Sequence, residues 1–227
     1  MPFQDLPDRL ASVRSSIERA RTRGGHGQPV TIIAVTKTYG PEAAEAAWRA
    51  GLHDVGENRV QEALAKMPLV IASLRWHLIG HLQRNKVRQL DGFQLVHSMD
   101  SERLADALAQ YGESRGAPLN VLAQINVSGE ESKGGYEPAT FEREAERLHG
   151  SSGLVVRGVM TMAPADADER TLRSVFAGAR RCGEMLRAAG HPATELSMGM
   201  SGDYEVAVEE GATLVRLGTV LFGARPA

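Results

Sequence analysis

Thr31-Ile32-Ile33-Ala34-Val35-Thr36-Lys37 is an apolar run of strand length that ends in a lysine. Thr38-Tyr39-Gly40-Pro41 follows it and has the composition of a turn that leads into a helix. Only four of the 26 basic residues are lysines, so a lysine at a strand end is unusual in this chain. Arginine stays protonated, whereas a partly buried lysine amine can lose its proton and attack a carbonyl carbon. A lysine whose amine simply reaches solvent is the alternative, and the rest of the chain decides between the two.

Seven more apolar runs of strand length follow the first, and helical patterns separate them. The predicted strands span residues 31–36, 53–55, 75–79, 94–97, 119–127, 155–161, 194–197 and 213–217. The main helix candidates span residues 6–21, 41–50, 58–66, 101–114 and 168–189. Strands that alternate with helices pair in parallel through helical crossovers. Eight such units predict an α/β protein with a single domain over residues 1–227, a (β/α)8 TIM barrel slightly smaller than the typical ~250 residues.

An open doubly wound sheet is the alternative arrangement of the same elements. Such sheets usually bind nucleotides through a glycine-rich loop after a strand. The chain contains neither G-x-G-x-x-G after a predicted strand nor G-x-x-x-x-G-K-S/T. The closed barrel is therefore favoured.

Composition excludes several classes of protein. The formal net charge of −2 provides no overall field for nucleic acid or an anionic membrane. The one cysteine, Cys182, excludes an internal disulfide framework. Neither a secretory signal nor an apolar run of about 20 residues is evident. These features predict a cytoplasmic protein with no nucleic-acid or membrane partner.

Three segments that are distant in sequence meet at the carboxyl edge of a closed barrel, where the active sites of this fold lie. Lys37 follows the first strand, Ser201 lies in a glycine-rich loop after the seventh, and Gly218-Thr219 follows the eighth. Glycines let backbone N–H groups approach a ligand, and hydroxyls add donors. Phosphate sites after strands seven and eight are frequent in this fold, so the two loops predict one. Capping of a helix at residues 203–209 is the structural alternative for Ser201.

Two further polar residues belong to the same edge. Arg216 lies within the apolar eighth strand, where a charged donor requires a ligand or a carboxylate as its partner. Asn58 follows the second strand, and it either contacts a ligand or forms a capping box with Gln61. A reactive lysine, a phosphate site and a buried arginine together suggest a phosphorylated aldehyde held as a Schiff base on Lys37. Pyridoxal 5′-phosphate (PLP) is the main candidate for that aldehyde.

His77 and His81 have a spacing that raises the question of a metal site. They flank the end of a predicted strand rather than one face of a helix, and no third ligand is evident. Neither a Ser-His-Asp arrangement nor a paired-carboxylate motif stands out either. No metal site and no catalytic residue are therefore predicted.

Seven segments, in order along the chain, resemble the PLP homeostasis protein family. They read AVTKT (34–38), GENRVQE (56–62), WHLIGHLQRNK (76–86), QINVS (124–128), RGVMTM (157–162), LSMGMSGD (196–203) and VRLGTVLFGAR (215–225). The resemblance covers nearly the whole chain from the first strand onward. It implies a single barrel like the N-terminal domain of alanine racemase.

The resemblance also implies a role for each of six residues. Lys37 carries the cofactor, and Arg216 faces the pyridine nitrogen. The phosphate is bound by Ser201, Gly218 and Thr219, and Asn58 lies beside the ring. An arginine at the ring nitrogen disfavours the pyridinium form and makes the ring a weaker electron sink. This argues against an aminotransferase.

Two functions are compatible with these features. The first is a monomeric binding protein that holds PLP reversibly, serves intracellular PLP homeostasis and delivers PLP to PLP-dependent apo-enzymes. The second is a PLP-dependent amino acid racemase or related enzyme, in which Tyr39, His77 or a partner subunit supplies a second base. Racemisation needs an acid–base group on each face of the substrate, and Lys37 is the one such group that the sequence identifies. The binding protein is therefore favoured.

Overall fold

The computed structural model describes residues 3–130 and 134–223, within which eight parallel strands close into a barrel. The strands follow sequence order, and the last pairs with the first. They are β1 (Thr31–Val35), β2 (Asp54–Glu57), β3 (Arg75–Leu78), β4 (Phe93–Met99), β5 (Leu119–Gln124), β6 (Leu154–Met160), β7 (Glu195–Ser197) and β8 (Leu214–Leu217). The predicted (β/α)8 barrel is confirmed, and the open sheet is wrong. The predicted domain boundaries, 1 and 227, lie outside the described residues.

Helices cover the outside of the barrel and connect most of the strands. They are α1 (Leu6–Gly24), α2 (Pro41–Arg49), α3 (Val60–Lys66), α4 (Glu102–Ser114), α5 (Phe141–His149), α6 (Glu169–Ala188), α7 (Tyr204–Glu209) and α8 (Thr219–Phe222). Two 3-10 helices span Met67–Leu69 and Arg84–Gln89. The helix α5 was not among the main predicted helices, although its buried residues Phe141, Ala145 and Leu148 have helical spacing. No helix in the described part of the chain has the length and apolar character needed to cross a membrane.

The interior of the barrel is layered, and the layering positions the site. One apolar layer consists of Ile33, Leu95, Leu122, Met160 and Leu214. Side chains two residues further along a strand point to the same face of the sheet. Four of these next positions line a cavity at the carboxyl edge, namely Val35, Gln124, Met162 and Arg216. The apolar layer therefore lies directly behind the cavity.

The fifth strand is shorter than the predicted span of residues 119–127. It ends at Gln124, and Ile125 then forms an isolated bridge with Tyr136. The Asn126 N–H donates to the Tyr136 carbonyl over 3.0 Å. Residues 125 and 126 thus pair with the following loop instead of extending β5, which keeps that loop close to the rim of the cavity.

Candidate ligand-binding site

A cavity of about 530 Å³ opens at the carboxyl edge of the barrel. All six residues that the sequence predicted as a site line it: Lys37, Asn58, Ser201, Arg216, Gly218 and Thr219. They come from the loops after β1, β2 and β7, from β8, and from Gly218 and the first residue of α8, Thr219. The structure also places there residues that were not predicted to belong to the site, among them His81, Asp100, Gln124, Met162 and Met200.

Lys37 begins a strained turn. β1 ends at Val35, two residues before Lys37, and Thr38 has a φ of 70°. A threonine in this left-handed region costs about 1–2 kcal/mol, so another contact has to hold it. The Thr38 N–H donates to Glu62 Oε1 of α3 over 2.8 Å. Lys37 is therefore presented by a turn that is anchored on the neighbouring helix.

A second lysine, Lys66, stabilises the same turn from beneath. Its Nζ donates to the Thr36 carbonyl over 3.0 Å and to Glu57 Oε1 over 2.8 Å. The Thr36 hydroxyl also donates to Glu57 Oε1, over 2.6 Å. Both charged side chains are buried, with Glu57 at 0% and Lys66 at 6% exposure. Lys66 is thus occupied by structural contacts, whereas Lys37 lines the cavity.

Burial raises the pKa of Glu57, although the hydrogen bonds from Lys66 and Thr36 act in the opposite direction. The second carboxylate oxygen, Oε2, is buried without a hydrogen-bond partner in the described part of the chain. The Lys66 ammonium forms an ion pair with this carboxylate, with 2.8 Å between Nζ and Oε1. Glu57 therefore depends on Lys66 to stay in its buried position as an anion.

Ser201 joins the loops after β7 and β8. Its Oγ accepts hydrogen bonds from the N–H groups of Gly218 and Val220, each over 3.3 Å. The helix α7 has Asp203 at its N-cap, so the capping role considered for Ser201 is wrong. Gly199, in the same loop, has a φ of 92°, and a Cβ there would lie 2.6 Å from Cβ of Ala207. Only glycine fits that position.

Asn58 lines the cavity instead of capping a helix. The helix α3 begins at Val60 after Arg59, and no side-chain cap is formed. The capping box with Gln61 is therefore wrong. Gly80, in the loop after β3, packs directly on Asn58, because a Cβ at Gly80 would lie 2.3 Å from the Asn58 carbonyl oxygen. This close approach holds the loops after β2 and β3 together.

Arg216 is 4% exposed, which confirms that it is a buried cation. The sequence predicts a ligand or a carboxylate as its partner, but its hydrogen bonds are made to one hydroxyl and two backbone carbonyls. Nη1 donates to the carbonyl and hydroxyl of Ser197 over 2.8 and 2.7 Å, and Nη2 donates to the Thr161 carbonyl over 2.9 Å. Burial lowers the pKa of Arg216 to about 10, and the charge of Asp203 opposes this shift. The guanidinium thus remains a fixed positive charge at neutral pH.

A hydrogen-bonded chain runs from Arg216 through the barrel interior. Ser197 Oγ lies 2.9 Å from His97 Nδ1, and His97 Nε2 lies 2.9 Å from His77 Nδ1. His77 Nε2 lies 3.0 Å from Asp54 Oδ1. An arginine only donates and a carboxylate only accepts, so Arg216 is the donor at one end of this chain and Asp54 is the acceptor at the other.

The contacts in this chain set the ionisation of the buried groups at its centre and at its end. Burial, with the neighbouring His77 and Arg216, lowers the pKa of His97 well below its ordinary value, so His97 is neutral. Burial acts to raise the pKa of Asp54, but hydrogen bonds from His77 and Arg75 outweigh it and lower that pKa to about 2. The network therefore joins the Arg216 cation to the Asp54 anion through Ser197, His97 and His77, and it fixes the orientation of Arg216.

The two histidines that raised the question of a metal have different surroundings. His77 is buried inside the barrel, within the chain just described. His81 lines the cavity, and its Nδ1 lies 3.0 Å from Asp100 Oδ2. The two rings therefore contact different partners, and the sequence spacing does not indicate a shared site.

The chain is similar to known proteins in both its sequence and its fold. The family described as alanine racemase, N-terminal domain, matches residues 9–226. The pyridoxal phosphate homeostasis protein of Aquifex aeolicus is 40% identical over 222 residues, which cover 96% of this chain and 97% of that protein. The protein of the same name from Pseudomonas aeruginosa is 41% identical over 223 residues, covering 97% and 96% of the two chains.

Solved structures agree with the sequence comparison. PipY of Synechococcus elongatus, solved with PLP bound, is 37% identical with a TM-score of 0.84, and the match covers 96% of this chain and all of PipY. Alanine racemase of Clostridium difficile has a TM-score of 0.74 but only 18% identity, covering 97% of this chain and 57% of the racemase. The likeness to the racemase concerns the barrel fold alone.

Proposed function

The chain belongs to the pyridoxal phosphate homeostasis protein family, which has the barrel of the alanine racemase N-terminal domain, and we propose that it holds PLP reversibly on Lys37. The observation that carries this proposal is the shared cavity, which brings Lys37 together with the Ser201 and Gly218-Thr219 loops and with Arg216. In a family named for PLP homeostasis, and with PipY known to bind PLP, PLP is the cofactor of this chain and homeostasis of PLP is its function.

The loops after β7 and β8 fit the phosphate group of PLP. Ser201 Oγ already accepts from two backbone N–H groups, so its own hydrogen is left to donate to a ligand. A Cβ at Gly202 would meet nothing within 4 Å, and one at Gly218 would meet Val35 no closer than 3.6 Å. The protein itself does not fill the space that these glycines leave. We assign the phosphate contacts to Ser201, Gly218 and Thr219.

The neighbouring part of the cavity, at the ends of β8, β1 and β2, fits the aldehyde and the ring. When bound, PLP supplies an aldehyde that condenses reversibly with a primary amine, and a pyridine ring that withdraws electrons. Lys37 provides the amine, and Asn58 lines the cavity beside it. Arg216 would face the ring nitrogen as a donor that stays charged, and a cation there disfavours protonation of that nitrogen. These residues favour storage of PLP over chemistry that stabilises a carbanion.

We propose that the protein is a carrier of PLP and that it has no strong catalytic activity of its own. Of the second bases considered for a racemase, His77 is buried in the interior chain of hydrogen bonds. The Tyr39 hydroxyl lies 3.5 Å from the Gly223 carbonyl, and its ring packs against Phe3 and Phe222. Neither residue lines the cavity in the described part of the chain. We also propose a single domain over residues 1–227 that acts as a monomer. The closed sheet leaves no strand edge that could pair with a second copy of the chain.

A transfer assay tests the carrier function. We expect PLP-loaded protein to restore activity to the apo-form of a PLP-dependent enzyme, and we expect the same loaded protein to give no enzyme-like racemisation of amino acids. The control is protein loaded and then reduced with borohydride, which retains the cofactor and restores nothing. Racemisation at enzyme-like rates that disappears in Lys37→Ala would show that the racemase alternative is correct.

A further inference from the structure

We propose that His81, held by Asp100, is the acid–base group that moves protons between Lys37 and the aldehyde oxygen of PLP during loading and release. His81 and Asp100 both line the cavity that contains Lys37. The proposal rests on the proposed function, since it concerns the exchange of PLP on Lys37. In this proposal His81 controls how fast PLP is loaded and released, whereas the six proposed PLP contacts determine how tightly PLP binds.

The chemistry of exchange requires proton transfer in both directions. Loading breaks the C=O double bond of the aldehyde, forms a C=N double bond between the aldehyde carbon and Lys37 Nζ, and releases the oxygen as one water molecule. The two hydrogens of that water come from the neutral amine, so each proton leaves nitrogen and reaches oxygen with no net change. Release reverses each of these steps and consumes one water molecule. A group that accepts a proton from nitrogen and returns it to oxygen accelerates both directions.

Four titratable side chains line the cavity in the described part of the chain: Lys37, His81, Asp100 and Arg216. Lys37 is the reacting amine. Arg216 stays protonated and cannot act as a base. Asp100 accepts hydrogen bonds on both oxygens, from His81 on Oδ2 and from the Ser101 hydroxyl on Oδ1 over 3.0 Å. His81 is the remaining group, and an imidazole exchanges protons readily near neutral pH.

The position of His81 is fixed by its neighbours. The Ser98 hydroxyl donates to the Gly80 carbonyl over 2.7 Å, and Gly80 packs on Asn58 without room for a side chain. These contacts fix the backbone immediately before His81. The Asp100 carboxylate then accepts from Nδ1, which leaves the Nε2 lone pair of the neutral ring available to a ligand. Lys37 is then the nucleophile, His81 the base, and Asp100 the carboxylate that orients the base. A catalytic triad divides these roles in the same way.

The side chain of His81 is 71% exposed, so its protons exchange directly with solvent. The charged groups that surround it come from several elements. Asp100 follows β4, Lys37 follows β1, and Arg59 and Lys86 line an adjoining groove that also includes His81. A pH profile measured in the intact protein therefore reports on this whole set of groups.

The test compares His81→Gln with His53→Gln, which removes an exposed histidine from the opposite end of the barrel. Stopped-flow absorbance measures the loading rate, and a trapping apo-enzyme measures the release rate. General acid–base catalysis contributes typically about 100-fold or more, and an exposed group less, so we expect both rates in H81Q to fall by roughly 10- to 100-fold. Because a catalyst does not alter an equilibrium, we expect the affinity for PLP to stay within about twofold of the wild type. Added imidazole restores the H81Q rates, and His53→Gln exchanges at the wild-type rate.

Two results would overturn the assignment of His81. The first is exchange in H81Q at the wild-type rate and with the wild-type pH profile. The second is a lower affinity with no recovery of rate in imidazole, which would show that His81 only packs against the ligand. Wild-type protein that fails to bind PLP at all would refute the proposed function and the His81 role together. Wild-type binding with an unaffected H81Q refutes the His81 role alone.

Discussion

Replacement of Lys37 by alanine is expected to lower the affinity for PLP by roughly 100-fold, or about 2.8 kcal/mol. The variant retains the contacts of Ser201, Gly218-Thr219 and Arg216 but has no amine to bond with the aldehyde. Residual binding is then limited to what the phosphate and ring contacts supply, and the visible absorbance of the bound cofactor is lost. Equilibrium dialysis measures the affinity, and an absorbance spectrum of the dialysed protein measures the second effect.

Lys86→Ala is the matched control for the loss of a lysine near the cavity. Lys86 lies in the 3-10 helix Arg84–Gln89 and lines the adjoining groove, outside the proposed PLP contacts. We expect this variant to bind PLP like the wild type. Wild-type affinity in Lys37→Ala would show that Lys37 does not hold the cofactor. An equal loss of affinity in Lys86→Ala would show that the cofactor is held by general positive charge.

Replacement of Lys66 by methionine is expected to destabilise the fold by about 3–5 kcal/mol, because it leaves a buried carboxylate without its partner. Glu57 is fully buried, and its Oε1 lies 2.8 Å from Lys66 Nζ. The same change removes the donor to the Thr36 carbonyl beneath the Lys37 turn. Denaturant unfolding monitored by circular dichroism measures the loss. The double variant Lys66→Met/Glu57→Gln carries no uncompensated charge, so we expect it to recover a large part of the stability.

The pH dependence of Lys66→Met gives a second readout of the same pair. The pKa of Glu57 is already raised in the folded protein, and loss of Lys66 removes one of the contacts that lower it. A raised pKa in the folded state favours folding at low pH and opposes it as the pH rises through that pKa. We therefore expect the destabilisation of Lys66→Met to be smaller at acidic pH and larger at neutral pH. If Lys66→Met loses the same free energy of unfolding at every pH, the unpaired Glu57 carboxylate is not the cause of the loss.

The sequence predicted the barrel and the six cavity residues because both depend on local patterns. Strand β1 is marked by an apolar run, and Gly199 and Gly218 mark the loops after β7 and β8. Once eight parallel strands close, their carboxyl ends meet at one edge whatever the details of packing. The positions of Lys37 and Thr219 beside the same cavity followed from that topology alone.

The contacts that support the site were not predictable in the same way. Asp54, His77, His97 and Ser197 come from β2, β3, β4 and β7, and they meet only because side chains cross the barrel interior in a particular register. Each residue taken alone looks like an ordinary polar residue in or beside a strand. Asp100 and His81 follow different strands, and their contact depends on the path of two loops. A sequence pattern carries no signal for such pairings.

Borohydride reduction of the PLP-loaded protein, followed by proteolysis and peptide mapping, tests most directly whether Lys37 holds the cofactor. We predict that the reduced cofactor is found on the peptide containing Lys37, and that Lys66, which is occupied by Glu57 and Thr36, is unmodified. Stable modification of Lys66, Lys86 or Lys133 with Lys37 unmodified would contradict the assignment on which the proposed function depends.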